Sequence, residues 1–303
     1  MRNFKFLVSL ITNDNDYQLE QANSAQQSAR KLSIDATIVY ADNDAITQST
    51  QILRAIQAPD KERAHAVVFE PVGGTALPQV AKAAMQAGVG WAVLNRDAPY
   101  VAEMRLTSKV PIFIVTHDQV EVGRIAARQC SALLPSGGSI LYIQGPSQTG
   151  VAKERETGLR ETIPANIHIT VLRGQWTEES ALRAVRSWLS LSTSRKAAID
   201  LVVSQNDAMA IGARKAFQEI AEESERERWL AIPFLGCDGV PKTGQSWVRS
   251  GLLMATILTP PTAGQAIEML VDAFENKRVL PERTFSSVSS IPPLKDLRPT
   301  KKL

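Results

Sequence analysis

The sequence predicts an α/β protein in which doubly wound parallel sheets form two domains. Strand-like and helix-like segments alternate from the first residues to about residue 273. The strand-like runs are apolar throughout, without polar alternation, which is typical of parallel strands covered by helices on both faces. At 303 residues the chain is longer than one hydrophobic core usually holds, so we expect two domains.

Ten apolar runs mark the predicted strands in chain order. They cover residues 6–11, 36–40, 66–69, 91–94, 112–115, 139–143, 167–172, 201–203, 232–237 and 253–258. Ten strands are more than one sheet of this kind commonly holds, so we divide them between two sheets. The first boundary is expected near Asp118.

The segments between the strands carry the three- and four-residue apolar spacing of helices. In the segment after Thr177 the apolar stripe consists of Leu182, Val185, Trp188 and Leu189. Asp118 followed by Glu121 predicts a capping box at a helix start. Asp207 stands before three good helix formers, so we expect it to be the N-cap of the next helix.

Composition argues against nucleic-acid binding and against insertion into a membrane. The chain is 44% hydrophobic and 21% charged, which is ordinary for a globular protein, and its net charge of +3 is too small to indicate nucleic acid. We expect the basic tail at residues 298–302 to be solvated. No run reaches the roughly 20 apolar residues of a membrane span. The first apolar run is shorter than a secretory leader and lacks a small-residue cleavage site, so we expect a cytoplasmic protein unless a leader precedes it.

Residues that would support catalysis or metal binding are not arranged for it. Cys130 and Cys237 lie far apart without metal-ligand spacing, so we expect reduced, buried thiols. Residues 145–150 have the glycine spacing of a phosphate loop, but Val151 and Ala152 stand where Lys and Ser or Thr would follow. The three histidines are isolated in sequence. We therefore predict no catalytic residue, no metal and no cofactor.

Polar residues follow directly on several predicted strands. They occur at residues 13–16, 95–96, 117–118, 205–207 and 238. Small ligands of open α/β sheets bind at the carboxyl ends of the strands. Amides, a guanidinium and carboxylates at those ends predict a pocket for a molecule rich in hydroxyl groups.

Four short stretches carry a resemblance to a known family. They are LNR at residues 94–96, AKER at 152–155, SQNDAMAIGA at 204–213 and LGCDG at 235–239. In this order and spacing they resemble periplasmic sugar-binding proteins of the ribose-binding type, whose fold is shared with the ligand-binding domain of lactose-repressor-class regulators. The resemblance extends over residues 6–288.

The resemblance implies the type I periplasmic-binding-protein fold, with two similar domains joined by three hinge strands that close over a ligand in the cleft. The first domain would hold residues 1–117 and 260–288. The second would hold residues 118–259 and 289–303.

The resemblance also implies a set of ligand-binding residues. They are Asn15, Tyr17, Asn95, Arg96, Arg155, Trp176, Asn206, Asp238 and Thr259. Amide, carboxylate and guanidinium groups form directional hydrogen bonds with sugar hydroxyls, and aromatic rings pack against sugar C–H faces. Two structural alternatives stay open. Trp176 could be a hydrophobic staple of the following helix, and Arg155 could pair with Glu156 or Glu161 on an exposed helix face.

Three positions depart from the family pattern. Asn95 replaces the usual Asp, Gln18 stands where a second aromatic residue is common, and Thr259 is shorter than the usual Gln. These differences give ribose no preference over a different pentose, a hexose, a polyol or a modified sugar. The implied function is non-catalytic binding as the substrate-binding component of an ABC-type sugar transporter, with a membrane permease or a sensor protein as partner. The alternative is a cytoplasmic sugar-sensing regulatory protein that lacks a DNA-binding headpiece.

Overall fold

The computed structural model describes residues 4–73, 76–192, 194 and 197–299. The first three residues, and residues 300–302 of the tail that we expected to be solvated, lie outside the described residues. Within the described part, no helix is both long and apolar enough to cross a membrane.

Strands and helices alternate as the sequence predicted. The strands are β1 (Lys5–Leu10), β2 (Asp35–Tyr40), β3 (Ala66–Phe69), β4 (Gly90–Leu94), β5 (Ile112–His117), β6 (Gly138–Gln144), β7 (Ile167–Arg173), β8 (Leu201–Ser204), β9 (Phe234–Leu235), β10 (Thr256–Leu258), β11 (Arg283–Ser286) and β12 (Ser289–Ile291). The helices are α1 (Asp16–Leu32), α2 (Ala45–Gln57), α3 (Pro78–Gln86), α4 (Tyr100–Arg105), α5 (Gln119–Leu133), α6 (Gly150–Thr162), α7 (Glu178–Leu189), α8 (Asp207–Gln218), α9 (Glu223–Leu230), α10 (Gly244–Arg249) and α11 (Ala263–Asn276).

The chain divides into two compact units. Unit 1 comprises Met1–His117 and Pro261–Ser286, and unit 2 comprises Asp118–Pro260 and Ser287–Leu303.

Unit 1 is built on a six-stranded sheet in the order β11-β5-β4-β3-β1-β2. All of its strand pairs are parallel. Residues from α1 and α11 pack with one set of strand side chains, including Val8 and Leu94. Residues from α2, α3 and α4 pack with the alternate set, including Val67 and Val93. Both faces of the sheet are covered, which explains why its inner strands β1, β3, β4 and β5 read as largely apolar runs.

Unit 2 contains the parallel sheet β7-β6-β8-β9 and the two-stranded sheet β10-β12. Helix α5 contributes Ala127 and Cys130 to an apolar cluster on one side of the parallel sheet. Helices α7 and α8 contribute to a second cluster, which includes the predicted stripe residues Leu182 and Val185. Cys130 and Cys237 are buried free thiols, as expected.

Several strands near the end of the chain differ from those predicted from the sequence. The predicted strand at 232–237 shortens to β9, because the backbone turns after it with φ of 110° at Asp238 and 61° at Gly239. Strands β11 and β12 were missed because both are short, partly exposed and polar. The pair β10-β12 is antiparallel, so not every strand pair is parallel.

Candidate functional site

Asn95 is the centre of the polar groups at the strand ends of unit 1. It follows β4, is 4% exposed and has a φ of 55°, a left-handed conformation that asparagine tolerates better than most residues. Its Nδ2 donates to the Tyr17 hydroxyl (3.2 Å) and to Glu70 Oε2 (3.1 Å). Its Oδ1 accepts from Thr262 Oγ1 (3.3 Å). Both amide hydrogens of Asn95 are therefore bound within unit 1.

Glu70 is a buried carboxylate directly after β3, and the sequence analysis did not single it out. It accepts from Gln18 Nε2 at 2.9 Å as well as from Asn95, and it forms an ion pair with Arg96 at 3.6 Å. Arg96 also donates to the backbone oxygen of Asn95 (3.0 Å). The carboxylate that balances Arg96 thus lies on Glu70 and not at residue 95. We call Tyr17, Gln18, Gln21, Glu70, Asn95, Arg96 and Thr262 the Glu70 cluster.

Asn15 caps helix α1 with its side-chain oxygen. Its Oδ1 accepts from the backbone N–H groups of Tyr17 (3.0 Å) and Gln18 (3.2 Å). The cap orients the first turn of α1, which carries Tyr17 into the Glu70 cluster. The Tyr17 hydroxyl also accepts from Gln21 Nε2 (3.3 Å). Asn15 therefore has a structural role beside any contact with ligand.

In unit 2, Arg155 is buried on helix α6, with 7% of its surface exposed. Its Nε donates to Gln119 Oε1 (2.8 Å), and a terminal nitrogen donates to the backbone oxygen of Gln205. The guanidinium lies 5.7 Å from the ring centroid of Trp176, within reach of a cation–π interaction.

The alternative that Arg155 pairs with Glu156 or Glu161 on an exposed helix face is wrong. Instead, Glu156 pairs with Arg160 and Glu161 with Arg124. Buried Arg155 is held by neutral acceptors on α5 and after β8.

Trp176 lies one residue before Thr177, the N-cap of α7, and has a φ of 65°. Its ring packs against the apolar cluster around α7 and α8, as a staple would. The ring also faces Arg155. Trp176 can therefore act as a hydrophobic staple and still lie at the strand ends of unit 2. Its backbone oxygen accepts from Asn206 Nδ2 (2.9 Å), which joins it to the loop after β8.

The helix after β8 is capped by Asn206 and not by Asp207, which corrects the sequence analysis. Asn206 Oδ1 accepts from the backbone N–H of Met209 (2.9 Å). Asp207 is the first residue of α8 and is buried, with 3% exposed. Its carboxyl accepts from Thr256 Oγ1 (2.6 Å) and from the backbone N–H of Gly239 (2.8 Å). Asp207 therefore fastens β10 and the turn after β9 to the start of α8.

The Asp207 carboxyl is enclosed so tightly that its neighbours must be glycines. A Cβ atom on Gly236 would come within 2.1 Å of one carboxyl oxygen, and a Cβ on Gly244 within 2.0 Å of the other. Burial raises the pKa of Asp207 well above its ordinary value, and the nearby Asp238 carboxylate raises it further.

Asp238 and Thr259 lie together at the turn after β9. Asp238 is half-buried, and its backbone N–H donates to the Ile257 oxygen (2.9 Å). Thr259 is buried, and its backbone N–H donates to the Asp238 oxygen (3.1 Å). The φ of 110° at Asp238 is unusual for a non-glycine residue. The Asp238 carboxylate lies close enough to Asp207 to raise the pKa of Asp207. We call Gln119, Arg155, Trp176, Gln205, Asn206, Asp207, Asp238, Thr256 and Thr259 the Asp207 cluster.

Each unit therefore brings together the predicted residues that belong to it. Tyr17, Asn95 and Arg96 meet in the Glu70 cluster. Arg155, Trp176 and Asn206 are joined in the Asp207 cluster, and Asp238 contacts Thr259 there. The residues that sequence reasoning missed, or took for something else, are Gln18, Glu70, Gln119, Gln205 and Asp207. Glu70 follows an apolar strand, so the rule that found Asn95 also applies to it.

Other features of the described residues lie away from the predicted site. A cavity of about 130 Å³ in unit 2 is lined by Arg214, Leu230, Ala231, Ile232, Pro233, Phe234, Gly251, Leu252 and Met254. None of the predicted site residues lines that cavity. Among the described residues, no group of three or more His, Cys, Asp or Glu side chains could hold a metal ion.

Comparisons with known proteins agree with this architecture. A family model described as the periplasmic binding protein domain matches residues 6–278. The ribose import binding protein of Escherichia coli (strain K12) is 24% identical over 259 residues, which cover 85% of this chain and 80% of that protein. The D-apiose import binding protein of Actinobacillus succinogenes (strain ATCC 55618 / DSM 22257 / CCUG 43843 / 130Z) is 24% identical over 272 residues, which cover 88% of this chain and 80% of that protein.

A similar solved structure is an ABC transporter periplasmic solute binding protein from Actinobacillus succinogenes 130z with bound D-allose. It superposes with a TM-score of 0.80 at 19% identity and covers 95% of this chain and 96% of that chain. This likeness confirms the predicted type I periplasmic-binding-protein fold.

Proposed function

This chain belongs to the periplasmic binding protein domain family, and from that premise we propose that it binds a small uncharged sugar or polyol without chemical change. The proposed ligand contacts are Asn15, Tyr17, Asn95, Arg96, Arg155, Trp176, Asn206, Asp238 and Thr259. The partner in this proposal is the membrane permease of an ABC-type importer, to which the protein delivers its ligand.

The observation that carries the proposal is the way the two arginines are held. Arg96 is bound by Glu70 and by a backbone oxygen, and Arg155 by a side-chain amide and a backbone oxygen. Both guanidinium groups are oriented before any ligand arrives, at the carboxyl ends of parallel strands. Fixed N–H donors of this kind suit hydroxyl oxygens, and they reduce the ordering cost of binding.

The charges of the clusters favour a neutral ligand. The Glu70 cluster holds one guanidinium and one carboxylate in an ion pair. The Asp207 cluster holds one guanidinium and two carboxyl groups, of which Asp207 has a raised pKa. Neither cluster has surplus positive charge for a phosphate or a carboxylate, whereas a polyhydroxy compound needs only hydrogen-bonding partners.

The relatives support import over regulation. The two curated relatives described above are import binding proteins for ribose and D-apiose, and the solved neighbour is a transporter component. These curated relatives do not favour the regulatory alternative. That a single ligand is held by residues of both units remains a prediction from the family resemblance, and variants in each unit test it separately.

Thermal unfolding in the presence of candidate ligands tests the proposal. The panel holds pentoses, hexoses, inositols, other polyols and sugar phosphates. A ligand at one hundred times its dissociation constant stabilises the folded state by about 2.7 kcal/mol, which is a visible shift of the unfolding midpoint. We expect a neutral member of the panel to give that shift.

Three variants should lose the ligand-induced shift of the unfolding midpoint. Arg155→Met and Asp238→Ala change unit 2, and Arg96→Met changes unit 1. Each is measured against its own midpoint without ligand. Arg160→Met is the matched control for Arg155→Met, because Arg160 is exposed on the same helix. The proposal fails if no neutral ligand shifts the wild type, or if the three variants respond as the control does.

A further inference from the structure

Glu70 is fixed in place by both its backbone and its side chain. Its backbone N–H donates to the Ser9 oxygen (3.0 Å), and its backbone oxygen accepts from Gln48 Nε2 (2.8 Å). Its carboxylate accepts hydrogen bonds from Gln18 Nε2 (2.9 Å) and Asn95 Nδ2 (3.1 Å). With only 3% of its surface exposed, Glu70 is a fixed buried charge, which requires a partner of opposite sign.

Arg96 is that partner. The guanidinium lies 3.6 Å from Glu70 Oε1. The next residue in sequence, Asp97, pairs instead with Arg283 on the surface. The Arg96 guanidinium has five N–H donors, and one of them is hydrogen-bonded to the Asn95 backbone oxygen. Arg96 therefore offers hydrogen-bond donors while its charge is balanced.

The buried carboxylate near Arg96 does not lie at the position where the family resemblance places an acidic residue. The resemblance puts an acidic residue at position 95, beside the arginine in sequence, and this chain has Asn95 there. The structure places the carboxylate on the neighbouring strand, at Glu70, with Asn95 as its hydrogen-bond donor. A carboxylate at 95 would be adjacent to Glu70, and two carboxylates at that distance repel.

We propose that Glu70 determines the ligand class of this site: by neutralising Arg96 from a buried position, it selects uncharged sugars and polyols over sugar acids of the same skeleton. This inference rests on the proposed function. Glu70 is a positioning and counter-charge residue that does not touch the ligand. Without it, Arg96 becomes a guanidinium with no carboxylate partner in the Glu70 cluster and attracts a carboxylate of the ligand.

The test compares matched pairs of neutral and acidic sugars on the full chain. The pairs are D-ribose with D-ribonate, D-galactose with D-galacturonate, and D-glucose with D-glucuronate, each titrated by calorimetry. We expect the wild type to prefer the neutral member of the pair it binds best. In Glu70→Gln that preference should fall by at least about tenfold or reverse, because the isosteric amide keeps the shape and removes the charge.

Asp97→Asn is the matched control, since it removes a carboxylate one residue from Arg96 that pairs elsewhere. Its preference should equal that of the wild type. If Glu70→Gln does not fold, Asn95→Asp tests the same charge balance in the opposite direction. It adds a carboxylate beside Arg96 and should raise the affinity for D-glucosamine or D-galactosamine relative to the neutral sugar by about tenfold.

The outcomes separate the two proposals. If the wild type binds neutral sugars and a folded Glu70→Gln keeps the wild-type preference, the role of Glu70 is overturned and the proposed function stands. An unchanged preference for neutral over amino sugars in Asn95→Asp overturns it in the same way. If the wild type binds no neutral sugar, both proposals are overturned.

Discussion

The two polar clusters hold a buried carboxyl group by different means. In the Glu70 cluster, the carboxylate is bound by long side chains, namely Gln18, Asn95 and Arg96. In the Asp207 cluster, the carboxyl is bound by a hydroxyl and a backbone N–H and is pressed between Gly236 and Gly244. Glu70 is balanced by a guanidinium, whereas Asp207 is buried beside another carboxylate and has a raised pKa.

This difference shows that polar groups at strand ends have two kinds of task. A carboxyl held by backbone and enclosed by glycines organises the fold around it. In our proposal, a carboxylate held by side chains sets the charge of the surface that faces a ligand. The Asp207 cluster should therefore be rigid, whereas the Glu70 cluster depends on contacts between side chains.

The largest effect is expected from Gly244→Ala. The added methyl group would lie 2.0 Å from the Asp207 carboxyl, which cannot move without losing buried hydrogen bonds. We expect the free energy of unfolding in urea to fall by about 3 kcal/mol.

Gly150→Ala is the matched control for that change, because Gly150 also begins a helix and the nearest atom to its added methyl is 3.7 Å away. It should leave stability unchanged or slightly raised. Equal stabilities of the two variants would show that Asp207 is not tightly enclosed.

The pH dependence of stability should distinguish Asp207→Asn from the wild type. Because the folded pKa of Asp207 is raised above the ordinary 3.8, the folded state keeps a proton that the unfolded state has already lost. Raising the pH therefore destabilises the wild type, whereas the amide that replaces the carboxyl in the variant does not titrate.

As the pH rises above 3.8 towards the raised pKa of folded Asp207, the wild type should lose stability relative to the variant. The measurement is urea unfolding at each pH. Parallel stability curves for the two proteins would mean that Asp207 is ionised when folded.

The sequence showed where polar groups stand but not how each is used. Asn95, Asn206 and Asp238 were found because polar residues follow apolar strands. Glu70 obeys the same rule after β3 and was overlooked, so that signal was available. No sequence signal showed that Asn206 caps α8 while Asp207 is buried, because the partners of Asp207 are Gly239 and Thr256, which are distant in sequence. The fold class was predictable from patterns, but the short polar strands β11 and β12 were not, because they depend on tertiary pairing.

A smaller effect is expected at Asn15, in the Glu70 half of the comparison. Asn15→Ala removes the cap of α1 and should lower the free energy of unfolding by about 1 kcal/mol. Asn15→Asp keeps a capping oxygen, so it should retain stability and lose ligand affinity if the amide N–H group contacts ligand as proposed. Asp44→Ala at the cap of α2 is the control, since it should lower stability without changing affinity. Unchanged affinity in Asn15→Asp would remove Asn15 from the proposed site.

The most direct test is the affinity of the best panel ligand for Asp238→Asn and for Asp207→Asn, measured by calorimetry. The two changes are chemically identical and affect neighbouring carboxyl groups. If Asp238 contacts the ligand and Asp207 organises the turn that carries it, Asp238→Asn should weaken binding by at least about tenfold and Asp207→Asn by less than about twofold. A loss for Asp207→Asn as large as that for Asp238→Asn, or no loss for either variant, would contradict this account.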